Sequence, residues 1–122
     1  MPARILIVDD EPDVLLLLRI TLEAAGFETG MAADGDDALQ RLGKERFDAV
    51  ILDLMMPVLD GFGVLDRLKG DPDAPPVVVL TANASPPNKE RAMSLGAAEF
   101  FSKPYDADVL ITRINQLVTA VP

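Results

Sequence analysis

Five residues that can do chemistry each follow a short, mainly apolar segment of the sequence: Asp9, Asp10, Asp53, Thr81 and Lys103. Three carboxylates brought together in a partly dry site repel each other strongly, and a hard divalent cation removes that repulsion. Oxygen ligands without histidine or cysteine suit Mg²⁺ or Mn²⁺. The acidic residues therefore predict a divalent metal site, provided that the fold brings them together.

The hydroxyl of Thr81 and the positive charge of Lys103 are useful there only if an anion lies between them and the metal. A phosphoryl group is the natural candidate, because its transfer needs positioning and charge neutralisation more than covalent chemistry from the protein. Asp53 can act as the nucleophile, since aspartyl phosphates are an established type of intermediate. Each residue taken singly also fits an ordinary loop or helix terminus, so the prediction depends on the whole set.

The composition excludes several other classes of protein. The 122 residues include no cysteine and no histidine, which rules out disulfides, thiolate metal sites and serine–histidine catalysis. The formal net charge of −9 disfavours nucleic acid and anionic membranes as partners. There is no long apolar stretch and no signal-peptide pattern, so we expect a soluble, cytoplasmic protein with a single domain over residues 1–122.

The elements that must position the five residues alternate between strands and helices. Short apolar segments predict strands at 5–8, 27–32, 49–52, 77–80 and 99–101, with the second strand nearer an edge. Helical spacing and stop signals predict helices at 11–25, 36–42, 63–69, 88–95 and 106–120. This strict alternation predicts a parallel sheet with helices on both faces. Ligands of such sheets bind outside the carboxyl ends of the strands, where all five residues lie.

The first and fourth helices carry more detailed predictions. The apolar spacing of the first helix predicts a core stripe that includes Leu17 and Leu18 and leaves Leu15 and Leu16 outside it. Gly26 should end that helix. The pair Pro86-Pro87 should delay or shorten the fourth helix, because proline disrupts a helix interior.

Four motifs occur in a fixed order along the chain: "ILIVDDEP", "DAVILDLMMPVLDG", "VVVLTA" and "GAAEFFSKP". With them the chain resembles the receiver domain of two-component response regulators, of the single-domain chemotaxis type, along essentially its whole length. The resemblance implies an α/β, flavodoxin-like (βα)5 fold, which is a doubly wound parallel five-stranded sheet with strand order 2-1-3-4-5.

The resemblance also implies a role for each candidate residue. Asp53 is the expected phosphoacceptor, Thr81 the switch hydroxyl, and Lys103 the partner of a phosphoryl oxygen. Phe100 occupies the position of the switch aromatic. The expected Mg²⁺ site, which Mn²⁺ can also fill, consists of Asp9, Asp10, Asp53 and the backbone carbonyl of Met55. The residues expected to shape the loops are Pro57, Gly61 and, after a cis peptide bond, Pro104.

The function implied is a phosphorylation-dependent signalling switch in a two-component phosphorelay. Asp53 would accept a phosphoryl group from a sensor histidine kinase or a phosphotransfer protein. The fourth helix, fifth strand and fifth helix would then signal to an unidentified downstream protein. The domain would be no enzyme beyond its own Mg²⁺-dependent phosphorylation and dephosphorylation. Leu15 and Leu16 are candidate kinase contacts, because the kinase docks on the first helix in this family.

Several alternatives are weighed against this function. The chain can be a receiver fragment of a longer regulator whose output domain is missing, or a degenerate module that binds without phosphate. A Mg²⁺-dependent phosphatase with an aspartate nucleophile would need two aspartates separated by one residue, which the adjacent pair Asp9-Asp10 does not match. A flavin carrier would need a phosphate loop after the first strand, where "DDEPD" would repel phosphate.

Overall fold

The computed structural model describes residues 2–119, in which strands and helices alternate as predicted. Every predicted element is present, with bounds that differ by one or two residues at most. Ala120, the predicted end of the last helix, lies outside the described residues. The elements are β1 (Arg4–Val8), α1 (Pro12–Ala24), β2 (Glu28–Ala32), α2 (Gly35–Lys44), β3 (Ala49–Leu52), α3 (Gly61–Leu68), β4 (Val77–Thr81), α4 (Pro86–Ser94), β5 (Glu99–Ser102) and α5 (Ala107–Thr119).

The five strands form one parallel sheet in the order β2-β1-β3-β4-β5, which confirms the predicted fold and places β2 at an edge. Val8 of β1 pairs with Leu52 of β3, so the next residues, Asp9 and Asp53, leave the sheet side by side. In the same way, the pairing of β4 with β5 opposes Thr81 and Ser102, the residue before Lys103. The register therefore brings the candidate residues to one edge of the sheet.

The side chains of the central strands alternate between two apolar layers. In β1, Leu6 and Val8 join the layer that contains residues of α2, α3 and α4. Ile5 and Ile7 join the opposite layer, with residues of α1 and α5. Because the central strands are packed on both faces, their carboxyl ends are rigid and hold the polar residues that follow in fixed positions. Over residues 2–119, no helix has both the length and the apolar character needed to cross a membrane.

The prediction for the core stripe of α1 is wrong at Leu17. Leu18 is buried as predicted, but Leu17 is 59% exposed and Leu15 packs against the core instead. Residues 15–18 are four consecutive leucines, so their spacing does not determine which way the helix is rotated. The helix terminates as predicted before Gly26, whose φ of +97° is a conformation that favours glycine.

The predicted delay of the fourth helix is also wrong, because Pro86 is the first residue of α4. Ser85 caps this helix, and its Oγ accepts the backbone N–H of Asn88 at 3.3 Å. Proline is well tolerated in the first turn, where a backbone N–H has no partner within the helix. The two prolines therefore mark where α4 begins.

The loop between β3 and α3 passes close to the backbone after β3. A Cβ at Gly61 would overlap the carbonyl oxygen of Asp53, and the N–H of Gly61 donates to the Leu54 carbonyl at 3.0 Å. Only glycine fits this approach, which supports the predicted loop-shaping role of Gly61. Pro57 lies in the same loop and is exposed. The next residue, Val58, has a φ of +69°, in the left-handed region that β-branched residues rarely adopt.

We expect the substitution Val58→Asn to raise the free energy of unfolding by about 1 kcal/mol, because asparagine tolerates left-handed backbone better than valine does. The Val58 side chain is 80% exposed, so little packing is lost. Urea unfolding of both proteins would measure the difference. Val109→Asn is the control, because Val109 is also exposed but lies in α5. An equal or lower stability of the Val58 variant would contradict the prediction.

Candidate functional site

The carboxyl ends of β1 and β3 bring the three predicted metal ligands together. Asp9, Asp10 and Asp53 each offer a carboxylate oxygen, and these oxygens lie within 4.8 Å of one another. Asp9 and Asp53 are buried, at 2% and 6% exposure, whereas Asp10 is exposed. The backbone N–H of Asp53 donates to the Val8 carbonyl at 3.0 Å. The hydrogen bonds between β1 and β3 therefore continue as far as Asp53, the candidate phosphoacceptor.

Lys103 reaches this acidic group from the loop after β5. Its Nζ lies 2.8 Å from Asp9 Oδ2 and 3.5 Å from Asp53 Oδ2. Its backbone N–H donates to the Thr81 carbonyl at 2.9 Å, which fixes the start of the loop. The peptide bond between Lys103 and Pro104 is cis, as predicted. The ammonium group therefore bridges the two buried carboxylates, with Asp9 as its closer partner.

The electrostatics of the site are unbalanced. Burial raises the pKa of Asp53; the Met55 N–H and the Lys103 ammonium oppose this rise, and the charge of Asp9 adds to it. Burial alone would lower the pKa of Lys103, but its hydrogen bond to Asp9 and the charges of both aspartates outweigh burial and raise it. Lys103 thus stays charged, and three carboxylates face a single ammonium group. A divalent cation would relieve the remaining repulsion.

The raised pKa of Asp53 gives a prediction about stability and pH. A folded-state pKa above the unfolded value means that Asp53 stabilises the fold only at low pH, and that this contribution is lost as the pH rises through the folded-state pKa. Without divalent metal, we therefore expect Asp53→Asn to raise the free energy of unfolding at pH 7. The gain should shrink as the pH falls towards the ordinary value for Asp, about 3.9.

Urea unfolding in EDTA across this pH range would test the prediction. Asp66→Asn is a matched control, because Asp66 is an exposed aspartate on α3. A stability gain for Asp53→Asn that stays constant with pH, or a loss of stability at pH 7, would contradict a raised pKa of Asp53 in the folded domain.

Thr81 and the loop that follows it line an open cleft, together with Asp53, Met55 and Lys103. Thr81 is fully buried, and its Oγ1 accepts the backbone N–H of Asn83 at 3.1 Å. A hydrogen bond from Thr81 is also among the causes that lower the pKa of Asp53, although burial dominates and the net pKa is raised. Across the mouth of the cleft, Asn83 Nδ2 lies 3.6 Å from Met55 Sδ. This contact joins two loops whose residues lie 28 positions apart in the sequence.

The chemical roles predicted for the site residues stay predictions, including those of Met55 and Phe100. The backbone carbonyl of Met55 was expected to bind metal; Met55 lines the cleft, and its N–H donates to Asp53 Oδ1 at 3.2 Å. The resemblance to receiver domains implies a switch role for Phe100. Phe100 pairs with Val79 in the sheet and packs, partly buried, against the layer beneath α2, α3 and α4.

Comparison with known proteins identifies the family. A sequence model described as "Response regulator receiver domain" matches residues 5–115. The chain belongs to this family. The curated relative named response regulator MprA, from Mycolicibacterium vanbaalenii, is 39% identical over 118 residues, which cover 97% of this chain and 51% of the relative. The receiver domain thus spans about half the length of the curated relatives that it matches.

Solved receiver structures share the same fold. Chemotaxis protein CheY4 of Vibrio cholerae superposes with a TM-score of 0.88 at 32% identity, covering 96% of this chain and 99% of that one. The receiver domain of the Pseudomonas aeruginosa sensor histidine kinase PA1611 gives a TM-score of 0.88 at 26% identity, covering 97% and 98%. That structure has a magnesium ion coordinated in its active-site cleft. The receiver fold predicted from the sequence is confirmed.

Proposed function

We propose that this receiver domain is a phosphorylation-dependent switch whose phosphoacceptor is Asp53. The observation that carries the proposal is the convergence of Asp53 with Asp9, Asp10 and the Lys103 ammonium at the carboxyl edge of the sheet. A structural ion pair alone would not need three carboxylates around one lysine. The arrangement instead suits a site that receives a cation and an anionic group together.

The donor set fits Mg²⁺, because it consists of oxygen ligands only and carries excess negative charge. In this proposal, Mg²⁺ is held by Asp9, Asp10, Asp53 and the backbone carbonyl of Met55, and Mn²⁺ can replace it. When bound, the ion supplies positive charge that neutralises the phosphoryl oxygens. The magnesium ion in the cleft of the P. aeruginosa receiver domain supports this assignment.

The side chains of this chain would perform the transfer as follows. A carboxylate oxygen of Asp53 attacks the phosphorus, a new O–P bond forms, and the bond from phosphorus to the donor breaks with its electron pair on the donor. Lys103 and Thr81 bind the phosphoryl oxygens. Attack by water on the phosphorus later returns Asp53 and inorganic phosphate. The domain therefore catalyses only its own phosphorylation and dephosphorylation and converts no separate substrate.

The partners in this proposal are proteins. A sensor histidine kinase or a phosphotransfer protein donates the phosphoryl group, and the α1 surface beside Lys103 supports such docking. Leu17 lines an apolar cleft there with Pro104 and Tyr105, and Leu16 and Ile20 are more than half exposed. Leu16 thus stays a candidate contact, but Leu17 replaces Leu15.

The signal then passes through α4, β5 and α5 to an unidentified protein target in the cytoplasm. The net charge of −9 argues against direct contact of the domain with nucleic acid. Because the domain spans only about half the length of its curated relatives, the alternative is that it is part of a longer regulator.

Intact-mass spectrometry with a small phosphodonor such as acetyl phosphate tests the proposal. The wild-type domain should gain one phosphoryl group with Mg²⁺ and none in EDTA. Asp53→Asn should gain none, whereas Asp66→Asn, a control on exposed α3, should behave as the wild type does. If the folded wild-type domain gains no mass while another receiver domain is phosphorylated by the same donor, the result would favour a degenerate module that binds without phosphate.

A further inference from the structure

Hydrogen bonds join the β4–α4 loop to the site at one end and to α4 at the other. At the site end, the N–H of Asn83 donates to Thr81 Oγ1 at 3.1 Å. At the helix end, Asn88 Nδ2 donates to the carbonyl oxygen of Asn83 at 3.0 Å. The two peptide groups that flank Asn83 thus connect the first turn of α4 to the hydroxyl of Thr81.

From these contacts we infer that Asn88 is a positioning residue for phosphoryl uptake and acts on Thr81 through Asn83. The inference rests on the proposed function. Asn88 itself contacts neither Asp53 nor Lys103 among the hydrogen bonds of the described residues, so its effect on the reaction must pass through the loop.

The chemistry of a buried hydroxyl explains why the position of Asn83 matters. Thr81 is fully buried, and a hydroxyl has one proton to donate and two lone pairs that accept. Because the Asn83 N–H occupies one of the two accepting lone pairs, it limits the direction in which the hydroxyl proton can point. A shift of the Asn83 peptide would change this direction, and a buried hydroxyl cannot turn to water for another partner.

The prolines of α4 explain why a side chain, rather than a backbone N–H of the helix, holds the Asn83 carbonyl. The first two residues of the helix are Pro86 and Pro87, which have no backbone N–H. The next N–H, that of Asn88, is used by the Ser85 cap. The Lys89 N–H donates to the Ser85 carbonyl at 3.0 Å, so no backbone donor from Pro86 to Lys89 is left to hold the Asn83 carbonyl. The side-chain amide of Asn88 supplies that donor.

Initial rates of mass gain from acetyl phosphate at saturating Mg²⁺ test this role. Asn88→Ala should slow uptake about two- to tenfold, the value of one hydrogen bond. Asn88→Asp should slow it at least as much, because a carboxylate cannot donate to the carbonyl. Alanine favours the helix, and thermal unfolding would confirm that both variants fold. Asn115→Ala is the control, because Asn115 is an exposed asparagine on α5.

A second set of rates separates positioning from a merely structural effect. In a Thr81→Ala background, Asn88→Ala should cause no further slowing, because the hydroxyl through which it acts is gone. The stabilisation by Mg²⁺ should be unchanged by Asn88→Ala. A wild-type rate of uptake in Asn88→Ala would overturn the inference. So would a double variant that is slowed by the product of the two single effects, because the two residues would then act independently. Absence of any uptake by the wild type would instead overturn the proposed function.

Discussion

Replacing Lys103 with methionine should destabilise the metal-free domain by about 3 kcal/mol, because removal of one partner leaves buried charge uncompensated. Only 3% of the Asp9 side chain is exposed, and the ammonium of Lys103 lies 2.8 Å from it. Methionine matches the length of the aliphatic stem of lysine and keeps the packing of that stem, but it lacks the ammonium group. The loss should be smaller in saturating Mg²⁺, because the cation replaces the missing positive charge.

The same substitution should slow phosphoryl uptake about 100-fold, the effect of removing one preorganised charge that stabilises a transition state. Urea unfolding with and without Mg²⁺ measures the stability, and the rate of mass gain from acetyl phosphate measures uptake. Lys44→Met, an exposed lysine on α2, is the control for charge. A variant that unfolds like the wild type and is phosphorylated at the wild-type rate would show that Lys103 is an ordinary loop lysine.

Replacing Asp10 with asparagine should separate metal binding from stability. Asp10 is exposed and has no ion pair among residues 2–119, so we expect Asp10→Asn to unfold at nearly the wild-type urea concentration in EDTA. Its carboxylate is one of the three metal ligands, so the stabilisation by Mg²⁺ should fall sharply. For the wild type, that stabilisation is about 2.7 kcal/mol at 100 times the dissociation constant.

Asp9→Asn is the informative comparison, because Asp9 is both a proposed metal ligand and the closer partner of Lys103. It should lower the stabilisation by Mg²⁺ and should also change the stability in EDTA. Unfolding in a Mg²⁺ titration would give both quantities for each variant. Full stabilisation of Asp10→Asn by Mg²⁺ would remove Asp10 from the metal site.

The parallel sheet and the convergence of the site residues could be predicted from the sequence because both depend on strong local patterns, whereas the strand order was implied by the resemblance to receiver domains. Apolar segments such as 49–52 and 77–80 are too short for helices, and the parallel sheet that they form brings the residues after each strand to one edge. The convergence of Asp9 and Asp53 required no knowledge of atomic distances. It follows from the pairing of Val8 with Leu52.

The parts that could not be predicted depend on rotation and on distances of a few ångströms. Four consecutive leucines in α1 fit more than one rotation of the helix, so helical spacing alone places Leu17 in the core although it is exposed. The start of α4 at Pro86 depends on the Ser85 cap as well as on the prolines. The link from Asn88 to Thr81 follows only once that start is known, and no pattern of residue types signals it.

The most direct test of the central claim is to locate the phosphoryl group on the chain. After incubation with acetyl phosphate and Mg²⁺, borohydride reduces an aspartyl phosphate to homoserine, which peptide sequencing by mass spectrometry can locate. We expect homoserine at position 53 in the wild type, its absence in EDTA, and its absence in Asp53→Asn. Homoserine at another aspartate, or none in a domain that has gained a phosphoryl group, would contradict Asp53 as the phosphoacceptor.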